Sequence, residues 1–143
     1  MKKYVLGAIS GLVVLVVGIM LQWPDGKLHV VACDVGQGDG ILIWQGFTQA
    51  VVDGGPNAKI IDCLSKYVPF WDRQIEVIVM TNGDADHMTG LIDLANRYTV
   101  DQMIANNLVK ETERFKALRA VIVDKGIKVH APKMGERVRV GKL

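Results

Sequence analysis

The chain has 143 residues, which suits one domain and is short for two, and its 17 basic and 15 acidic side chains leave a net charge of +2. So even a balance, with no long basic stripe, gives no electrostatic case for a nucleic-acid partner. Half of the residues are hydrophobic and the mean hydropathy is +0.22, which is apolar for a soluble domain, and most of the excess sits at the amino terminus.

Lys2 and Lys3 precede an uncharged run over residues 4–23, in which Ser10 is the one polar side chain between residues 5 and 21. At about 1.5 Å per residue that stretch spans roughly 25 Å as a helix, close to the hydrocarbon thickness of a bilayer. Tyr4 and Trp23 bracket it, as aromatic side chains do at the two interfaces of a membrane. A cleaved signal peptide shares the charged start and apolar centre. The length of the run, and an exit at residues 18–24 without small residues at cleavage spacing, favour an uncleaved anchor. The lysine pair then keeps the amino terminus in the cytoplasm and places the rest outside. The expected organisation is a single-pass anchor over residues 1–23 and one domain over residues 24–143.

Pro24, Asp25 and Gly26 form a turn at that boundary. Beyond it, residues 28–33 are apolar and β-rich and read as a strand. Residues 34–40 are a Gly-rich loop; residues 41–44 and 49–52 read as two strands turning through 45–48. A second turn over residues 53–57 lets Asn57 cap a helix carrying Ile60, Ile61, Leu64 and Tyr67, which Pro69 ends. Residues 75–80 are a continuous apolar strand, expected to be covered on both faces. A polar loop from residue 81 enters a helix with Met88, Leu91, Ile92, Ala95 and Tyr98 on one side. Residues 100–105 are a short strand. Residues 110–125 form an amphipathic helix with Phe115, Leu118, Val121 and Ile122 inward, stopped by Gly126. Residues 127–130 are a strand, and residues 137–140 begin another. Strands first in a run and then alternating with helices make a layered α/β arrangement on a mixed sheet. Cys33 and Cys63 match neither a disulfide framework nor a zinc-ribbon spacing. Either they pair once or both stay reduced; their apolar and helical surroundings favour two buried thiols.

The chemistry-bearing stretch is residues 81–87, which places Asn82, Asp84, Asp86 and His87 together at the exit of the apolar strand. Residues 82, 84 and 86 point the same way if the loop is extended. Carboxylate and imidazole donors converging on one point suit zinc or another divalent metal, which makes water acidic enough to act as a nucleophile near neutral pH. Taken bare, the pattern is equally that of a tight Asn-Gly-Asp turn capping a helix.

Three stretches in order, residues 34–39, 51–55 and 81–90, resemble motifs of the metallo-β-lactamase superfamily, and within it the extracytoplasmic domain of ComEC-type competence proteins that serve DNA uptake. The resemblance runs over residues 28–143 and implies the first half of an αβ/βα sandwich, an incomplete domain preceded by one transmembrane helix. It implies that Asp86 and His87 are the acid–histidine pair of a metal site, with Asp86 the candidate catalytic carboxylate, that Asp84 stands at a ligand position, and that Asp53 supports the site. Asn82 stands where a histidine is expected, and an amide oxygen is a poorer zinc ligand. The family's remaining ligands would follow residue 143, so the expected site is incomplete. His29 and His130 read as strand-end histidines, Gly36 and Gly38 as a structural turn near the site, and Trp44, Phe70 and Trp71 as core or rim.

Two functions follow. One is a membrane-anchored, metal-dependent hydrolase of the phosphodiesterase or nuclease type, acting outside the membrane on a nucleic-acid or other phosphodiester substrate that the resemblance alone implies. The other is a non-catalytic fragment or degenerate membrane protein without a working metal site. A half sandwich leaves a sheet face uncovered, so self-association is expected.

Overall fold

A computed structural model describes the chain except for residues 1, 107–110 and 142. Helix α1, Lys2–Leu21, is followed by β1 Leu28–Ala32, β2 Ile41–Gln45, β3 Thr48–Val52, α2 Lys59–Tyr67, β4 Gln74–Met80, α3 Ala85–Arg97, β5 Thr99–Ala105, α4 Glu113–Lys125 and β6 Lys128–His130. The six strands form one sheet in sequence order. The pairs β1–β2 and β2–β3 are antiparallel, and β3–β4, β4–β5 and β5–β6 are parallel.

The mixed sheet follows from its connections. A two-residue turn at Gly46 and Phe47 can join only antiparallel strands, and Gly46 takes the left-handed conformation there (φ 61°). Each later crossover carries a helix, which brings the next strand back parallel. Gly126 in the left-handed region (φ 65°) terminates α4, and the Thr112 hydroxyl caps its start by accepting from Phe115 N. The helix foreseen from residue 110 begins at Glu113, and residue 110 lies outside the described residues.

Helices α2, α3 and α4 cover one face of the sheet. Leu42, Val51, Ile78 and Met103 from the strands meet Ile60, Leu64, Leu91, Leu94, Phe115 and Leu118 from the helices, all inaccessible to solvent. Each such side chain contributes about 1.5–3 kcal/mol by leaving water. The opposite face is thinner. Val30, Ile43, Ala50 and Val77 are in register across four strands there. Ala50, Val77 and Ile104 are covered in part by Val140 and Leu143 of the carboxyl-terminal segment. On this face nothing among the described residues covers β1, and Leu28 and Val30 are 61% and 62% exposed.

Two expectations fail. Cys33 and Cys63 are a disulfide rather than two thiols, with their Cα atoms 5.7 Å apart. Leaving β1, the chain sets Cys33 beside α2, where Cys63 faces it across the sheet edge. Their separation of 30 residues hid a proximity that the sheet creates. The strand foreseen at residues 137–140 is absent. The Glu136 carboxylate instead accepts from Lys133 N and contacts His130 Nε2, each at 2.8 Å, and Val140 and Leu143 bond each other's backbone. That pairing folds the segment onto itself and leaves no ladder for a strand.

Candidate metal centre

The carboxyl ends of β3 and β4, the loop after β1 and the start of α3 meet at one end of the sheet, as ligand sites do in open α/β folds. Asp53 follows β3 directly and is the one non-glycine residue in the left-handed region among the described residues (φ 55°), a conformation that Asp and Asn adopt more readily than other residues. The twist turns its carboxylate back under the site, where it is 1% exposed. Three donors satisfy it. Thr81 N donates to Oδ1 at 2.8 Å, the Thr81 hydroxyl donates to Oδ2 at 2.5 Å, and His87 Nδ1 lies 2.9 Å from Oδ2.

Two close backbone approaches set this geometry. Gly54 N donates to the His87 carbonyl at 2.7 Å and Gly90 N to the Gly55 carbonyl at 2.9 Å, which clamp the turn after β3 onto α3. A Cβ on Gly90 would fall 2.0 Å from the Gly54 carbonyl oxygen. On the other side, Gly38 (φ 112°) lies so close to α3 that its Cβ would fall 2.0 Å from the Asp86 carbonyl oxygen. The expected structural turn at Gly36 and Gly38 is therefore a docking surface for the helix, and it delivers Asp39 to the site.

Around His87, Asp39 Oδ2 lies 3.6 Å from Nδ1 and Asp86 Oδ2 lies 3.8 Å from Nε2. Asp39, Asp53 and His87 each offer an atom within 4.8 Å of the others, a grouping able to hold a cation among the described residues. The bonding pattern assigns different tasks within that group. Asp53 has its oxygens engaged by Thr81 and His87, so it orients the imidazole and favours the proton on Nδ1. Nε2 is then the nitrogen left to bind, with Asp86 beside it, while Asp39 is the most open carboxylate, at 69% side-chain exposure. The Asp53 hydrogen bond raises the His87 pKa above its ordinary value; burial opposes the rise, and the fields of Asp53, Asp86 and Asp39 add to it.

Of the residues singled out in the sequence, Asp53, Asp86 and His87 converge. The Asn82 side-chain oxygen is engaged locally, accepting from Asp84 N at 2.7 Å. Asp84 is the N-cap of α3, and its carbonyl accepts from His87 N and Met88 N, each at 3.1 Å. Asp39 was missed as a site residue. It belongs to the motif at residues 34–39, but only the Gly38 contact brings it to His87. His29 stacks on Trp44 (centroids 4.5 Å apart) and pairs with Asp25 at 2.8 Å, at the other end of β1.

The donor set of imidazole and carboxylates fits a borderline or hard divalent cation. It also leaves several acidic groups about one imidazole, a charge excess that a cation would relieve.

No family model matches the sequence, and no curated protein matches it. Among solved structures, the chain is similar to the metallo-β-lactamase fold protein YhfI from Bacillus subtilis, with a TM-score of 0.55 and 17% identity over 80% of this chain and 48% of that one. It is also similar to the flavodiiron protein from Giardia intestinalis, with a TM-score of 0.50 and 16% identity over 76% of this chain and 26% of that one. The fold is metallo-β-lactamase-like, and the chain spans about half the length of the first of these structures and a quarter of the second.

Proposed function

We propose that this chain carries part of the metal site of a membrane-anchored hydrolase acting on phosphodiesters on the outer side of the membrane. The observation that carries the reading is the Thr81–Asp53–His87 relay, a buried carboxylate fixing a histidine ring whose far nitrogen faces Asp86. Metal-binding histidines almost always have such a support, and Asp53 differs from the carboxylates paired with His29 and His130 in being buried. His87 Nε2 and Asp86 would hold the cation and Asp53 would hold the ring, while Asp39, whose carboxylate lies 3.6 Å from Nδ1, adds negative charge beside it. When bound, a divalent cation at this place supplies Lewis acidity toward a phosphoryl oxygen and toward water. Zinc is favoured by the imidazole and manganese by the carboxylates.

The protein's own groups do the remaining work. Asp53 accepts a hydrogen bond from Nδ1–H and so sets the tautomer. Gly38 and Gly90 hold the two loops at backbone contact. A cavity of about 130 Å3 next to the site is lined by Asp84, Met88, Thr112 and Arg114. The choice of a nucleic acid, and a role like that of the competence proteins, rests on the motif resemblance at residues 34–39 and 81–90.

Location has two independent supports. Residues Lys3–Leu21 are long and apolar enough to cross a membrane, and none of that window is buried against the domain. A disulfide belongs to an oxidising compartment, which agrees with the outward orientation that the lysine pair implies.

The full chain in lipid nanodiscs, titrated with zinc and with manganese, tests the site. Binding that disappears in Asp86→Ala and in His87→Ala is expected, together with metal-dependent cleavage of a bis-aryl phosphodiester. Absence of metal binding under every condition refutes the reading. Binding without cleavage favours the non-catalytic alternative, which the loss of the Asn82 oxygen to Asp84 N supports.

A further inference from the structure

The topology separates two ends of the domain. Each β-to-α connection lies at the end carrying His87. Each α-to-β connection lies at the opposite end, where the chain arrives from α1 and where β2 turns into β3. Large aromatic side chains are left in the open at this second end. Trp23 at the exit of α1 is 62% exposed, Phe47 in the β2–β3 turn 43%, and Phe70 in the α2–β4 connection 58%. They come from three separate segments that meet at the exit of α1, where the Phe70 ring packs on Trp71 with centroids 4.9 Å apart. Trp23 packs edge-on against Phe47 with ring centroids 5.3 Å apart, and Phe70 N donates to the Gln22 side-chain oxygen at 3.2 Å.

Three exposed aromatic rings are costly in water, and a soluble domain has no use for them in one place. Their position relative to α1 gives them one. Trp23 follows the end of the apolar helix by two residues, so the headgroup layer of a bilayer crossed by α1 lies at its level. Phe47 and Phe70 are tied to Trp23 and Gln22, and so lie at that level too. Aromatic rings are enriched in this layer, where an apolar body meets an interface.

We propose that the domain is seated on the bilayer that α1 crosses, with Phe47 and Phe70 inserted beside Trp23 into the headgroup layer. The partner is the lipid surface itself. Seating on two loops in addition to the helix fixes the tilt of the sheet. The seven residues of β4 then hold the His87 end about 20 Å from the lipid, facing away from it. This rests on α1 being a membrane anchor, and the experiment separates the two claims.

A nitroxide is attached singly at Val13→Cys, Phe47→Cys, Phe70→Cys and Glu113→Cys in the full chain, reconstituted in phosphatidylcholine–phosphatidylglycerol nanodiscs. Glu113 begins α4 at the far end and its side chain is 89% exposed. Collision rates with oxygen, which concentrates in lipid, are compared with those of a water-soluble nickel chelate. Oxygen should dominate at positions 13, 47 and 70, and nickel at 113. Nickel dominating at position 47 or 70 while oxygen dominates at 13 overturns the seating and leaves the anchor intact. Nickel dominating at position 13 removes the anchor and the seating with it.

Discussion

Replacing Asp53 with asparagine exchanges one oxygen for an amide nitrogen and removes one buried charge. Asparagine tolerates the left-handed backbone at this position (φ 55°), so the turn itself survives. The bonding does not. Asp53 Oδ1 serves Thr81 N, while Oδ2 serves both the Thr81 hydroxyl and His87 Nδ1. With the asparagine oxygen kept on Thr81 N, the amide group becomes a donor toward the other two. The Thr81 hydroxyl can reverse and accept. His87 Nδ1 can accept only by giving up its proton, which moves the hydrogen to Nε2 and blocks the nitrogen proposed to bind metal. Exchanging charge-assisted bonds, at about 1.5–3 kcal/mol each, for neutral ones at about 1 kcal/mol predicts a stability loss of about 2 kcal/mol. Metal affinity should fall by about 10–100-fold, because the ring loses its support and its tautomer together. Asp53→Ala loses the bonds outright and places alanine in the left-handed region, for about 4 kcal/mol in total. Urea melts of the detergent-solubilised chain, calorimetric titration with zinc and NMR titration of the His87 ring measure these effects. The His87 pKa should fall in Asp53→Asn, since the Asp53 hydrogen bond is the first cause of its elevation. Wild-type metal affinity together with an unchanged His87 pKa would refute the proposed division of roles.

Four further outcomes are expected. Gly38→Ala forces a side chain into a φ of 112° and within 2.0 Å of the Asp86 carbonyl oxygen; strain and overpacking together cost roughly 3 kcal/mol, and a calorimetric melting temperature equal to wild type would show that the loop does not dock on α3. Cys63→Ser opens a link between residues 30 apart, for a loss of about 3.5 kcal/mol on the chain-entropy account; reduction of the wild type should lower its urea midpoint similarly, and an unchanged midpoint under reductant contradicts the crosslink. Because the His87 pKa is raised in the folded state, its pairing stabilises the metal-free protein fully below its unfolded value of about 6.5 and loses that effect as pH rises through the folded value; urea midpoints against pH in chelator should slope downward there and flatten in His87→Gln, and equal slopes discard the assignment. The open face carrying Leu28 and Val30 should drive self-association; sedimentation should show a concentration-dependent dimer that Val30→Lys abolishes, and a strictly monomeric wild type removes that expectation.

Most of the elements were legible because their patterns are local. Period-two and period-3.6 hydrophobicity located the strands and helices within a few residues, and Gly126 and Pro69 marked their ends. The carboxyl-terminal strand was misread because Val138 and Val140 carry the right pattern where no neighbouring strand accepts their backbone bonds. Asn82 looked like a ligand because alternate residues of an extended loop share a side. The Asn82 side-chain oxygen instead accepts from Asp84 N and closes a local turn.

The sequence by itself determined the apolar helix at the amino terminus, the alternation that builds a mixed sheet under helices, and the nearness of Asp86 and His87, because each depends on residues a few positions apart. Only the tertiary structure decided that Cys33 meets Cys63, that Asp39 reaches the site, that Asp53 orients His87 from 34 residues away, and that Trp23, Phe47 and Phe70 share one end. Those contacts depend on parallel strand register, which leaves no local trace in the sequence, and on glycines that let backbones touch, which the sequence shows without showing what they touch.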